Sequence, residues 1–481
     1  MFGNEIEIFI KDFVRDLEEG TASVFAGAGL SVPAGYVNWS ELMSEIAHDL
    51  GLNIASETDL VSIAQYHVNE NRTRNKLNRK ILEEFVEDAT ETENHRIISR
   101  LPFSSIWTTN YDKLLENSFV RGNKVVDVKY SVRQLLTTKP KRDIVIYKMH
   151  GDIDHASDTI LTKEQYEKYH QTHEPFITAL TGELTTKTFL FVGFSFTDPN
   201  LDYILSRLNY RFREDKRQHY CFVKRHALGD ALNPDRATLE YNNKKQSLII
   251  NDLKRYGIKS LIIDSYTEIT AILKEIEKRF KKKTIFISGS AETYDPIEKN
   301  AALSFVHLLS KRLIEEDYRL INGFGWGIGS SVINGALEAI YSNPMKYSEN
   351  QLILKPFPQF ESGQRKLPEL WDEYRRKMIF LSGVSIFLFG NKKSDQGEIE
   401  EAGGVLREFK ISSTNGNVCI PLAFTGYASK TIYEKIKANP ADFYDRPDEI
   451  LPFLDRLADE KSSPAQKIEH VINMLKQLNR I

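Results

Sequence analysis

Apolar residues recur along this chain in two rhythms. Short unbroken runs at 22–26 (ASVFA), 105–108 (SIWT), 143–149 (DIVIYKM), 188–192 (TFLFV), 219–223 (HYCFV) and 259–263 (KSLII) have the length of strands and lack the alternation of a half-exposed sheet. A strand apolar on both sides belongs in a parallel sheet covered on both faces. Stretches with helical spacing separate these runs, among them 113–119 and 200–212. The charge run EKRFKKK at 277–283 then marks a boundary, and the same rhythm restarts. Strand 284–288 is followed by a helix over 298–317, with Ala302, Phe305, Leu309 and Leu313 on one face. Strand 318–322, helix 330–341, strands 384–389 and 417–421, and one or two helices over 447–481 complete the pattern. It predicts an α/β chain of two tandem doubly wound, Rossmann-like parallel-sheet domains, over 1–283 and 284–481.

Composition narrows the partners. At 481 residues the chain exceeds one ordinary core, and 41% hydrophobic with 27% charged residues is a globular mix. A net charge of −3 supplies no bulk attraction for nucleic acid or an anionic membrane, and neither is expected as a partner. The two cysteines, Cys221 and Cys419, cannot form a four-thiolate zinc site or a disulfide framework. No metal is expected, and a reducing cytoplasm fits best. The opening MFGNEIEIFIKDF carries acidic residues where a secretory signal would be basic. No run approaches the ~20 apolar residues of a membrane-spanning helix.

The candidate chemistry lies where strands end. In open α/β sheets, ligands bind beyond the carboxyl ends of the strands. The first strand runs into Gly27, Ala28, Gly29 and Ser31. Two glycines let a backbone approach a phosphate, and a helix starting just after them would aim free N–H groups at it. A plain tight turn explains the same residues. The second strand ends on Thr108, Thr109, Asn110 and Asp112, where Asp112 also suits a helix cap. Another ends on His150 and Gly151, and another on Gly193, Ser195, Asp198 and Asn200. In the second half, Gly289 and Ser290 follow a strand, and Gly323, Gly325, Gly327 and Gly329 crowd the turn before a helix. That density points to a phosphate or nucleotide.

Gly-Ala-Gly-x-Ser, Thr-x-Asn-x-Asp and His-Gly, in this order over residues ~10–275, resemble the sirtuin family of NAD-consuming enzymes. The resemblance implies that Gly27, Ala28, Gly29 and Ser31 hold the NAD pyrophosphate, and that Asn110 and Asp112 line the nicotinamide ribose. It makes His150 the general base, and places Gly193 and Ser195 near the adenosine ribose. Two departures count against protein deacylation: the paired cysteines of a zinc ribbon are missing, and Thr109 stands where deacylases carry Gln. Cleavage of the nicotinamide glycosidic bond remains, releasing nicotinamide and ADP-ribose. A deacylase and a non-enzymatic reader of ADP-ribose derivatives stay as alternatives.

The second half resembles the SLOG family, whose Rossmann-like domains bind nucleotide-derived ligands. Hydrolase members of that family carry an acidic signature that SSVINGALEAI does not clearly reproduce. A sirtuin-like domain followed by a SLOG domain resembles the effectors of Thoeris anti-phage defence. That implies an NAD hydrolase switched on when a cyclic ADP-ribose isomer, made by a TIR-domain partner protein, binds the SLOG domain. It also implies a homo-oligomer, a tetramer. Arg375, Lys392 and Glu408 are the charged candidates for the signal, joining Gly289, Ser290 and the glycine turn. By pattern alone Glu408 reads as an exposed helix charge, and Arg376 falls on a different face from Arg375.

Overall fold

The computed structural model describes all residues except 1, 58, 86–88, 362–365, 460 and 479–481. It divides into two compact units, Met1–Glu277 and Lys278–Ile481, and each is a Rossmann-like α/β domain. No helix among the described residues is long and apolar enough to cross a membrane.

The first unit holds β1 (Ala22–Ala26), β2 (Ser105–Thr108), β3 (Val126–Lys129), β4 (Ile144–Lys148), β5 (Thr188–Val192), β6 (His219–Lys224) and β7 (Ile258–Ile263). They form one parallel sheet in the order β3-β4-β2-β1-β5-β6-β7. The chain leaves β1 toward β2 on one side and returns at β5 on the other, which makes the end of β1 the topological switch point. Register brings the strand ends level. Ala26 pairs with both Thr108 and Val192, and Thr108 pairs with Lys148. The residues that follow this row start the loops carrying Gly27, Asn110, His150 and Gly193.

The apolar runs are strands because both their faces are covered. Every residue of β1 and β5 is buried. Phe25, Trp107, Phe189 and Phe191 pack with Tyr169, Phe176 and Leu180 in one core. A smaller cluster joins Leu42, Met43 and Ile46 of helix Trp39–Asp49 to Ile63, Leu77 and Ile81. Burying a Phe or Leu contributes ~2–3 kcal/mol, so a few such contacts outweigh any local propensity.

The second unit holds β8 (Thr284–Ser290), β9 (Arg319–Asn322), β10 (Leu352–Leu354), β11 (Val384–Phe389), β12 (Asn391–Lys393), β13 (Ile399–Glu401) and β14 (Val418–Pro421). Its parallel sheet has the order β10-β9-β8-β11-β14, with β12 and β13 as a separate hairpin. The switch point is the end of β8, between β9 and β11. The tail forms two helices, Pro447–Ala458 and Pro464–Leu478. The latter packs Val471, Ile472 and Leu475 into the main core of this unit.

Candidate active site and nucleotide crevice

At the first switch point, glycines serve close backbone packing. A Cβ on Gly27 would strike the carbonyl oxygen of Gly193, and Gly193 sits at φ +65°. Gly27 N–H donates to Val192 O and Gly29 N–H to Gly193 O, both at 2.9 Å. The turn after β1 is thus clamped to the loop after β5. No α-helix starts just after it, contrary to the sequence expectation. Two 3-10 turns, Ala28–Leu30 and Val32–Ala34, come first. The next helix begins at Trp39, where the Asn38 side chain already accepts from Ser40 N–H and Glu41 N–H. Pro33 and Gly35 (φ +102°) break the chain between them. That helix start is therefore capped from within and carries the Glu41 carboxylate, so it offers no seat for phosphate.

Facing the turn is a buried chain of polar groups. Asn110 Nδ2 donates to Gly27 O (3.0 Å) and to Ser31 Oγ (3.1 Å). Ser31 Oγ donates to Asp112 Oδ2 at 2.8 Å. Asp112 Oδ1 accepts from the N–H of Leu114, the first residue of helix Leu114–Arg121, at 2.9 Å, while Lys113 holds the N-cap position that the spacing suggests for Asp112. Asn110, Ser31 and Asp112 are buried. The Asn110 amide nitrogen is committed to structure. Ala28 follows Gly27 in the turn. Ser195 is set apart, its hydroxyl paired with Thr197 Oγ1 at 2.8 Å in an exposed loop.

His150 is buried at the end of β4. Tyr166 Oη lies 3.4 Å from its Nδ1, and the ring packs edge-on against Tyr166 and Tyr169. Its Nε2 lies 3.3 Å from Asp198 Oδ2, yet off the line a hydrogen bond needs, so this buried nitrogen has no hydrogen-bond partner. The Asn200 Nδ2 is likewise buried and unpartnered. Burial pushes the His150 pKa down and Asp198 pulls it partly back. The ring is neutral at pH 7 and has an open nitrogen.

The site is held by a side chain that pattern reading passed over. Lys148, fully buried at the end of β4, has four acceptors within hydrogen-bond distance of its three N–H groups: Tyr111 O (2.9 Å), Asp112 O (2.6 Å), Glu116 Oε1 (2.9 Å) and Asp152 Oδ2 (2.6 Å). Burial alone would depress the ammonium, but Glu116, Asp152 and Asp112 outweigh it and its pKa lies above the usual value. One cation thus ties the loop carrying Asn110 to the loop carrying His150. A lone lysine inside the apolar run IVIYKM was the available signal. Tyr166 gave no comparable one, and Asp198, although nominated as a strand-end residue, gave no sign of its non-local pairing with His150.

The second unit gathers a different set. Glu408 is buried, correcting its reading as an exposed helix charge. It accepts from Ser288 Oγ at 2.6 Å and from Arg375 Nε at 3.1 Å. Burial raises its pKa, while Ser288 and Arg375 oppose that. The Arg375 guanidinium lies over the Phe357 ring, 5.0 Å from its centroid. A Cβ on Gly323 would come within 2.8 Å of Phe357, and one on Gly325 would strike Gly289 O. Gly289 follows Ser288, so these contacts close into a ring around the end of β8. Ser290 Oγ donates to Asn391 O at 3.0 Å, and Gly327, at φ +76°, packs on Ala291. Gly329 opens helix Gly329–Ser342, which has no side-chain cap. Lys392 stays outside the ring: it is exposed and pairs with Glu400 at 2.8 Å across the hairpin. Arg376 pairs with Asp372 at 2.9 Å on the exposed side.

Among the described residues, no three or more His, Cys, Asp or Glu side chains gather as a metal site. Cys221 and Cys419 are buried free thiols.

Comparison with known proteins agrees with this two-part layout. Residues 104–249 match the SIR2-like domain, and residues 268–478 match the Sir2- and TIR-associating SLOG family. The chain is 48% identical to the NAD(+) hydrolase ThsA of Bacillus cereus (strain MSX-D12), over 98% of this chain and 97% of that protein. It is 43% identical to the NAD(+) hydrolase ThsA of Cytobacillus dafuensis, over 91% and 90% of the two chains. It is 40% identical to that of Acinetobacter baumannii (strain 532279), over 99% and 100%. With such identity sustained across both units, the chain belongs to the ThsA family, a SIR2-like domain followed by a SLOG domain.

Proposed function

We propose that this protein hydrolyses NAD+ to nicotinamide and ADP-ribose in its first domain, and does so when a cyclic ADP-ribose isomer binds the second. One observation carries the reading: His150 presents a buried, unpartnered Nε2 at the switch point, beside the Asn110–Ser31–Asp112 chain. Nicotinamide leaves as a neutral molecule from a cationic glycoside, so no strong acid is needed. What the site must do is hold the ribose, stabilise positive charge at the carbon left behind and direct a hydroxyl. Asn110 orients the ribose or water through its oxygen, and His150, neutral at cellular pH, takes the proton. Gly27, Ala28, Gly29 and Ser31, with Asp112, Gly193 and Ser195, bind the rest of NAD+. Their part is close backbone approach, because the amides of Gly27 and Gly29 are already engaged. The hydrolysing domain is taken as 1–283 and the sensing domain as 284–481.

In the sensing domain, only Nε of Arg375 is bonded to Glu408, which leaves the two terminal amino groups for a pyrophosphate. Glu408 suits ribose hydroxyls, and Gly289, Ser290, Gly323, Gly325, Gly327 and Gly329 let the ligand lie against backbone. Lys392 joins only if Glu400 releases it. The relatives' names support the NAD+ chemistry, and the description of the SLOG family supports a signal from a TIR-domain partner. A cytoplasmic homotetramer that works without a metal or nucleic acid completes the proposal.

The test is to incubate the full-length protein with NAD+ and measure free nicotinamide, with and without cyclic ADP-ribose isomers. His150→Ala should lower the rate ~10²–10⁴-fold with the fold intact. Wild-type turnover by that variant, or no nicotinamide under any condition, overturns the reading.

A further inference from the structure

We propose that Asp198 is the counter-ion of His150, held in place by capping the helix that follows it. The inference rests on the NAD+-cleaving reading of the site and adds a residue to it.

A buried imidazole makes a poor base by itself. Its neutral form is favoured because the cation would lie in a low-dielectric pocket. The walls around His150 give little help. Tyr166 and Tyr169 come from helix Lys163–Thr172, and their hydroxyls are held neutral by burial. Tyr169 Oη is also spent on Met149 O at 2.9 Å. His173, at the end of the same helix, disfavours a second positive charge. Tyr111 donates to Ile160 O at 2.7 Å. Among the described residues, the carboxylate paired with the ring is Asp198, with Oδ2 at 3.3 Å from Nε2.

The carboxylate is fixed by its other oxygen. Asp198 Oδ1 accepts from Leu201 N–H at 2.9 Å and caps helix Pro199–Phe212. The cap sets the carboxyl group, so Oδ2 faces the ring without searching for it. In the reaction, an O–H bond of water or a ribose hydroxyl breaks, an N–H bond forms at the open Nε2, and the imidazolium arises beside an anion already in place. Asp198 is on this account a positioning residue that acts through His150.

The double role makes the test clean. Asn caps a helix as well as Asp does but carries no charge. Asp198→Asn should therefore keep the wild-type melting temperature while kcat falls ~10²-fold or more with little change in KM. The acidic limb of its pH–rate profile should move down by ~1 unit or more. Asp198→Ala should lose the cap as well, and so fall in both melting temperature and kcat. Wild-type kcat and pH profile in Asp198→Asn overturn the inference. So does a kcat loss that appears only in Asp198→Ala and follows its loss of stability. Titration of the histidine Cε1–H resonances of the full-length protein, with the His150 signal identified by its absence in His150→Gln, decides the question without activity. The His150 pKa should drop in Asp198→Asn, and an unchanged value overturns the inference. Absence of NAD+ cleavage in wild type would instead defeat the functional reading and leave the titration to judge the pair.

Discussion

The two switch points are built from the same backbone device and differ in what surrounds it. In both, glycines let one strand-end loop press on the next, Gly27 on Gly193 in the first unit and Gly325 on Gly289 in the second. Around the first lie a fully buried ammonium, a buried imidazole with an open nitrogen, and a chain of buried amide, hydroxyl and carboxylate. Around the second lies the pair Glu408 with Arg375, in which the guanidinium uses Nε and, among the described residues, has no hydrogen bond from its two terminal amino groups. Exposed aromatics, Phe324 and Trp326, stand in its glycine turn. On the proposed function, the difference separates chemistry from recognition. Reactive groups must be desolvated and held before the substrate arrives, whereas a recognition crevice keeps its charge available to the ligand.

The sharpest break in this comparison is to remove the buried cation. Lys148→Met would leave Glu116 and Asp152 buried without their partner, and removing one member of such a group costs about 3–5 kcal/mol. The first unit should unfold or become protease-sensitive near 37 °C, as limited proteolysis with mass spectrometry of the fragments would reveal. If Lys148→Met melts with wild type, the network does not hold the site. The equivalent cut in the second unit, Arg375→Ala, should do much less to stability because Arg375 is only half-buried and Ser288 still serves Glu408.

A second contrast is with acid. His95 and His219, both buried in the first unit, have pKa values pushed down by burial to about 4 and about 3. Each uses Nδ1 as an acceptor from a backbone amide, Thr92 N–H for His95 and Phe189 N–H for His219, so protonation also breaks a hydrogen bond. A folded pKa below the unfolded ~6.5 gives stability that is full above pH 6.5 and is lost as pH falls toward the folded value. Moving from pH 7.5 to 5 should remove about 2 kcal/mol per residue from the first unit. In the second unit His307 and His470 are only half-buried. Hydrogen exchange at the two pH values, corrected for intrinsic rates, would report each unit separately. Equal loss in both would remove the contrast.

How far these sites were legible follows the same physics. Long apolar runs marked most strands of the two parallel sheets, because a strand covered on both faces is mostly apolar. Pattern reading missed β3, which reads VDVK and buries Asp127 paired with Lys129 at 2.8 Å, the mostly exposed hairpin strands NKK and IEE, and β10, whose apolar LIL is only three residues long. The strand-end residues could be nominated from sequence because they follow apolar runs. Their pairing could not. Ser31 meets Asp112 because register levels the ends of β1 and β2, and Arg375 meets Glu408 because helices Leu367–Phe380 and Gly403–Thr414 pack together. The absent helix after Gly29 was misjudged for a local reason, the Pro33 and Gly35 punctuation that diverts the chain into 3-10 turns.

A third experiment makes one substitution on both sides of the comparison. Gly27→Ala and Gly325→Ala each drive a methyl into a backbone carbonyl that cannot swing aside, Gly193 O in one case and Gly289 O in the other. Overpacking of this kind typically costs 1–3 kcal/mol. The stability losses should be similar and the functional losses opposite. Gly27→Ala should impair NAD+ cleavage and spare binding of a cyclic ADP-ribose isomer, measured by calorimetry. Gly325→Ala should impair that binding and leave residual NAD+ cleavage. Crossed outcomes would mean that the assignment of chemistry and recognition to the two units is reversed.

The smallest effect probes the recognition crevice alone. The Arg375 guanidinium is pinned by Nε to Glu408 and by its face to Phe357, and on the proposed function its terminal amino groups are the planar, two-pronged donor for a pyrophosphate. Lysine keeps the charge and loses the fork. Arg375→Lys should therefore weaken binding of a cyclic ADP-ribose isomer by ~10-fold, roughly 1.4 kcal/mol, which is one lost charge-assisted hydrogen bond. Arg375→Ala should lose more, because the charge goes as well. A nucleotide without a pyrophosphate, such as adenosine monophosphate, should show a smaller difference between wild type and Arg375→Lys. If Arg375→Lys binds the isomer as tightly as wild type, Arg375 acts as a point charge or as a strut for Glu408. Glu408→Gln then separates these two cases: it removes the charge that pins Nε while keeping an acceptor, so a strut predicts that affinity collapses and a point charge predicts that it holds.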